Sequence, residues 1–210
     1  QLTTGEPFAM EQFTDYPWSG EVKLVIRTAP THPVALRLRV PGWAGQASIA
    51  VGGQRLPDLK VERGYATVAR TWKTGDTVTL SLPMQSQLIA ADPRVEETRN
   101  QVAVMRGPIV YCVESPELPR GIEVPSVYVP SDAVFQAVVG LPGFEAKLAR
   151  TSVLLRGPAL HRPESKAAPL YRPLSQEPSK AFEVTLIPYY AWANRGPSAM
   201  SVWLPVVLKH

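Results

Sequence analysis

The chain has 210 residues, enough for one large all-β domain or two small ones, and with 45% hydrophobic and 19% charged residues it has a globular rather than a disordered balance. Its 22 prolines exclude a protein built of long helices, because each fixes φ and removes a backbone donor. The net charge of +4 is spread without a basic stripe, which speaks against nucleic acid as a partner, and no apolar run approaches the roughly 18 residues of a membrane-spanning helix.

The opening "QLTTGEPFAM" has neither the charged nor the apolar region of an export signal and reads as a connecting segment cut from something longer, so the compartment stays open. Period-two alternation follows. Val22, Leu24 and Ile26 share one face of a first strand, Leu36, Leu38 and Val40 of a second, and Val78, Leu80 and Leu82 of a third. Gly52-Gly53, free to take positive φ, predicts a tight hairpin, and "KTGDT" (73–77) predicts a second turn of that kind. Alternation is lost over 85–101, "QSQLIAADPRVEETRNQ", which suits a crossover between domains. Strand-like runs resume at Val102–Met105, Ile109–Val113, Val124–Val129, Val134–Val139, Phe144–Leu148, Ser152–Leu155, Phe182–Ile187 and Met200–Val207. The Pro-rich stretch 156–180 has no period and reads as a long surface loop. Short strands between Gly, Pro and Asp turns predict an all-β fold of two antiparallel β-sandwich domains in tandem, split near residue 95.

Signatures of catalysis are sparse. Glycoside hydrolysis commonly uses two carboxylates about 5–9.5 Å apart across a cleft. Glu96 and Glu97 form an adjacent acidic pair, but on a strand they would point to opposite faces, a poor dyad. His32, His161 and His210 have no neighbour at metal-ligand spacing, and no serine sits in a nucleophile elbow. Cys112, the single cysteine, excludes an internal disulfide and a multi-cysteine zinc cage within this chain. In "GPIVYCVE" alternation sets Val110 and Cys112 on one face and Tyr111 and Val113 on the other, the pattern of a buried structural thiol.

Aromatic residues stand out instead. Trp43 and Trp72 sit beside turns, as core rings do or as sugar-stacking rings could. Two further clusters, "DYPWSG" (15–20) and "YYAWANR" (189–195), raise the question of what covers them. Read as a strand, the second throws Tyr189 and Ala191 one way and Tyr190 and Trp192 the other, so both faces carry a ring.

Five ordered motifs, "EQFTDYPWSGEVKLVI", "LRLRVPGWAG", "GYATVARTWKTGDTVTLSLPM", "VAVMRGPIVYCVE" and "IPYYAWANRGPSAMSVWLP", resemble the C-terminal portion of glycoside hydrolase family 127, the β-L-arabinofuranosidase family, from about Glu11 to Pro205. The resemblance implies a catalytic (α/α)6 barrel followed by two β-sandwiches. In that family the barrel carries the acid/base glutamate, the nucleophilic cysteine and the zinc ligands. None of those motifs has a counterpart here, so no catalytic residue, metal ligand or cofactor is assigned to this chain, and zinc is expected only in the barrel. The family pattern also implies domains over 1–95 (with 197–210) and 96–196, the second inserted before a last strand that returns to the first. The expected function is a non-catalytic accessory region whose partner is its own catalytic barrel. The docking or sugar-contact candidates are Asp15, Tyr16, Trp18, Tyr189, Tyr190, Trp192, Asn194 and Arg195. The alternatives are a carbohydrate-binding module using Trp43, Trp72 or Trp192, and an enzyme hidden in the chain; a homodimer through the second sandwich is a further expected assembly.

Overall fold

A computed structural model describes residues 5–140, 153–163, 171 and 179–208, and its contacts separate two units, 1–85 and 86–210. Each is described by itself. The first contains β1 (Ala9–Thr14), β2 (Glu21–Thr28), β3 (Val34–Arg39), β4 (Ser48–Val51), β5 (Gln54–Arg55), β6 (Val61–Glu62), β7 (Tyr65–Arg70) and β8 (Thr77–Ser81). These pair antiparallel in two sheets, ordered β1-β2-β8-β4-β5 and β3-β7-β6.

Alternation decides which side chains meet. Leu24 and Ile26 of β2, Ile49 of β4 and Val78 and Leu80 of β8 join Leu36 of β3 and Ala66 and Val68 of β7 in one core. Each such side chain contributes roughly 1.5–3 kcal/mol on burial. Trp72 belongs to this core at 3% exposure, and its indole N–H donates to the Val34 carbonyl at 2.8 Å, which satisfies the polar edge of a ring otherwise removed from water. Trp43 is half-buried against the same core. Trp72 therefore cannot be a sugar-stacking ring.

The two glycine turns have different fates. Gly52 and Gly53, with φ of 58° and 83°, close the β4–β5 hairpin with Val51 opposite Gln54, as the sequence predicts. The turn at 73–76 forms too, with Gly75 at φ 92° and the Asp76 carboxylate accepting from the Lys73 N–H at 3.0 Å. It is not a hairpin, however: β7 and β8 lie in different sheets, so this turn carries the chain from one to the other.

The second unit contains β9 (Ser86–Ala90), β10 (Gln101–Arg106), β11 (Ile109–Glu114), β12 (Val127–Pro130), β13 (Gln136–Val139), β14 (Val153–His161), β15 (Lys180–Pro188), β16 (Met200–Ser201) and β17 (Leu204–Val207). Pairing runs β10–β11–β15–β14–β12–β17 and back to β10, so six strands close a barrel-like ring. Closure depends on β17, which pairs antiparallel with β10 at Val102↔Leu204 and parallel with β12 at Val129↔Val206. The core holds Val104, Tyr111, Val113, Val127, Leu155, Val184, Leu186 and Leu204. The Tyr111 hydroxyl donates to the Val153 carbonyl at 2.9 Å, and burial pushes its pKa up to about 12.

Several sequence expectations change here. The last strand does not return to the first unit; β17 completes the ring of the second. Residues 85–101 are not a plain crossover, because Ser86–Ala90 pairs with β10 along its full length, which moves the division from about residue 95 to 85. Alternation misses β9 because its residues are only half-buried or exposed. Val124–Ser126 forms a 3-10 turn before β12, and Val134 lies outside β13. The expected loop at 156–180 is strand as far as His161, since Gly157 and Pro158 pair with Val184 and Glu183 in a seven-pair register that mere composition disguises. Most of its remainder, and the run Phe144–Leu148, lie outside the described residues.

Candidate functional site

The second aromatic cluster is built on an acid. Glu114 ends β11, a strand of otherwise apolar residues, and its side chain is only 1% exposed. A buried carboxylate needs donors. It receives them from the segment after β15: the Ala193 N–H at 3.0 Å, the Arg195 guanidinium at 2.6 Å and the Ser198 hydroxyl. Arg195 also pairs with Glu117. Burial alone would push the Glu114 carboxyl up, but the hydrogen bonds from Ser198, Ala193 and Arg195 outweigh it and hold the group below its ordinary value. Ser115 adds backbone support, donating its N–H to the Ala199 carbonyl at 2.9 Å.

This anchor shapes the loop. Tyr189–Ala191 is a 3-10 turn, not a strand, and the Trp192 N–H donates to the Tyr189 carbonyl at 3.1 Å. Three residues per turn place i and i+3 on one side. Tyr189 and Trp192 accordingly stack, with ring centroids 6.5 Å apart and planes within 9°. Ala191 points inward, packed with Cys112, Leu154 and Ile187. The alternation expected of a strand is replaced: Tyr189, Tyr190 and Trp192 are all exposed, at 47%, 48% and 41%. Trp192 donates its indole N–H to the Ser198 carbonyl at 3.2 Å, and the Asn194 amide donates to the Tyr190 carbonyl. Arg195 faces the buried acid with its guanidinium partly exposed.

Asp15, Tyr16 and Trp18 lie together in the turn joining β1 to β2 in the first unit. The Asp15 carbonyl accepts from the Trp18 and Ser19 N–H groups at 2.9 and 3.1 Å, and the Thr14 hydroxyl donates to the Glu21 carbonyl across the strand ends. Tyr16 is exposed and Trp18 half-buried.

The groups considered for catalysis have surroundings of their own. Glu96 and Glu97 are exposed in a short 3-10 turn, with Glu96 bound to Arg99. Cys112 is buried on the face that alternation assigns it, and burial, with a smaller push from Glu114, raises its thiol to about 12. That shift keeps the thiol protonated at neutral pH. His32 faces Glu6 at 2.9 Å on the surface. Among the described residues no group of three His, Cys, Asp or Glu side chains is placed to hold a metal ion. The residue that sequence reasoning missed is Glu114. A lone acid closing the apolar run "GPIVYCV", with an Arg inside a distant aromatic segment, was its available signal.

Comparison with known proteins matches residues 1–84 to the middle domain of GH127 β-L-arabinofuranosidase and residues 86–205 to the C-terminal domain of glycoside hydrolase family 127. A non-reducing end β-L-arabinofuranosidase of Bifidobacterium longum subsp. longum is 32% identical over 92% of this chain and 30% of its own length. A solved glycoside hydrolase superposes with a TM-score of 0.85 at 38% identity, covering 95% of this chain and 32% of that one. A GH127 β-L-arabinofuranosidase from Geobacillus stearothermophilus T6 does so with a TM-score of 0.80 at 34% identity, over 94% and 30%. The chain thus spans about a third of the length of these relatives, and it belongs to glycoside hydrolase family 127, of which it carries the middle and C-terminal domains.

Proposed function

We propose that this chain is the non-catalytic accessory region of a β-L-arabinofuranosidase-like glycoside hydrolase, with bond cleavage performed by a separate catalytic domain of the full-length protein. One observation carries the reading: matches to the middle and C-terminal domains of the family account for nearly all of the chain, and it covers only 30% of a relative that is an arabinofuranosidase. The chemistry agrees, since the acids considered are exposed in a connector and the thiol is buried and neutral. In the full-length protein zinc and its cysteine ligands belong to the catalytic domain. The first unit, two sheets about one core, we read as a β-sandwich; the second serves the same scaffold role as a ring.

Within this reading the exposed rings of Tyr189, Tyr190 and Trp192, and separately the exposed Tyr16 with the half-buried Trp18, are docking surfaces for the catalytic domain. Aromatic centres fixed by polar groups are the usual anchors of such interfaces. The Glu114 anchor supports this because it holds the rings in one arrangement before any partner arrives, which lowers the ordering cost of association. The direct test is an assay of the 210-residue chain on an aryl β-L-arabinofuranoside. No turnover is expected, and hydrolysis at an enzyme-like rate overturns the reading.

A second reading is favoured by one feature, the exposed, stacked Tyr189–Trp192 pair, which presents ring surface to a sugar. Saturable heat on titrating arabino-oligosaccharides into the chain, abolished by Trp192→Ala, would favour a carbohydrate-binding role. Self-association through the second unit is a third use of the same rings, seen as a concentration-dependent mass in sedimentation.

A further inference from the structure

The two sheets of the first unit are unequal, and the shortfall is local. In β1, Met10 and Gln12 stand opposite Ile26 and Leu24, so they share the sheet face that carries the core. Yet Ile26 is 0% exposed and its cross-strand neighbour Met10 is 48% exposed. The smaller sheet does not reach across to β1. It ends at β3, which pairs with β7 on one side and with no strand on the other among the described residues.

Between β1 and β3 lies a groove of about 470 Å³, walled by Met10 and Gln12 on one side and by Arg37, Leu38 and Arg39 on the other, with Leu24 and Leu80 in its floor. Successive side chains of a strand point to opposite faces. Three consecutive residues on one wall therefore mean that the backbone edge of β3, with its outward N–H and C=O groups, borders the groove. Such an edge is a template for strand addition.

We propose that an extended segment of the same polypeptide, lying outside these 210 residues, adds to the free edge of β3 as a fourth strand of the smaller sheet and covers the inner face of β1. The inference rests on the reading of the chain as one portion of a longer glycosidase. That the chain spans about 30% of its relatives' length favours a tethered segment, because tethering raises its effective concentration at the edge. The groove also states the chemistry of its occupant. Inward positions must be apolar to fill the space over Leu24 and Leu80. Outward positions lie beside Arg37 and Arg39, whose guanidinium groups sit 5.1 and 5.4 Å from the Tyr65 ring centroid and have no carboxylate partner among the described residues. Arg39 is held there by the Gly64 carbonyl at 2.9 Å. The occupant therefore alternates apolar residues with Asp or Glu, two residues apart on each face.

Hydrogen exchange of the full-length protein and of the 210-residue chain tests this. The amides of Val34–Arg39 that point away from β7 are expected to exchange at least about tenfold more slowly in the full-length protein. Equal rates overturn the proposal. Slowing in the 210-residue chain that grows with its concentration assigns the edge to a second copy, and also overturns it. Protection of Met10 from peroxide oxidation without slower β3 exchange shows a glycan or the catalytic domain lying over the groove unpaired, which again overturns it. Met10→Lys in the full-length protein places a charge beneath the added strand and is expected to restore fast exchange at the same amides; unchanged exchange counts against the pairing. Arabinofuranoside hydrolysis measured on the same samples separates the two readings, since a full-length protein with protected β3 amides and no such activity loses the functional reading and keeps this one.

Discussion

The two units handle their sheet edges in opposite ways. The first keeps two separate sheets, each with a free outer strand, and leaves Met10 on the core-facing side of β1 uncovered. The second turns its pairing back on itself through β17 to close a six-strand ring, with β9, β13 and β16 each paired to one ring strand. Closure removes the template for further strands, whereas an open edge retains it. What the proposed function has the second unit offer to a partner is a loop of rings, and one buried carboxylate holds that loop. The two partner surfaces proposed for this protein would arise by different means: an unfinished sheet and an anchored turn.

The comparison can be broken most forcefully at Glu114. Glu114→Ala leaves Arg195 half-buried beside Glu117 and frees the Ala193 N–H and Ser198 hydroxyl, and losing one partner of a buried ion pair costs about 3–5 kcal/mol. Chemical denaturation should show that loss in the second unit while the unfolding of the first is unmoved. The same acid sets a pH dependence. Its folded-state pKa is depressed, so its contribution is complete above the ordinary carboxylate value and is lost as pH falls through the folded one. Stability of the second unit followed during acid titration should fall in that window, and Glu114→Gln should flatten the fall.

A paired substitution sharpens the contrast within the first unit. Ile26→Ala should cost about 2–5 kcal/mol because it opens a cavity in a closed part of the core. Met10→Ala, on the same sheet face, should stay within about 0.5 kcal/mol in the 210-residue chain, since nothing packs across from it there. Equal costs at both positions would show that the inner face of β1 is already covered.

Gly64→Ala is expected to be smaller, roughly 1–2 kcal/mol, because φ is +78° and a Cβ would meet the Arg39 guanidinium at 1.7 Å. Arg39 can swing away, which caps the loss. Smallest on stability is Trp192→Ala, within about 0.5 kcal/mol in the 210-residue chain because the ring is exposed. In the full-length protein the same substitution, or Trp18→Ala, should weaken docking and lower its melting temperature. Unchanged stability and activity there would remove those rings from the interface.

Much of the fold was legible because alternation is a local property. Leu24, Ile26, Val78 and Leu80 were readable as core from their spacing, and Cys112 was readable as buried from its place between Tyr111 and Val113. The candidate site was legible only as a composition. "YYAWANR" announced rings, but the side on which each would lie depended on a 3-10 turn, and that turn is held by an acid 75 residues before its first tyrosine. Spacing within the motif cannot report a partner so distant.

Residue order alone established an all-β chain, the Gly52-Gly53 hairpin and the strand faces, because propensity, turn chemistry and period act over a few neighbouring residues. Tertiary structure alone decided which strands pair: that β17 closes the second unit instead of returning to the first, that β9 belongs with β10, and that β3 and β1 have open edges among the described residues. Strand pairing joins segments far apart in the chain through backbone groups that every residue carries, so side-chain identity records it only weakly.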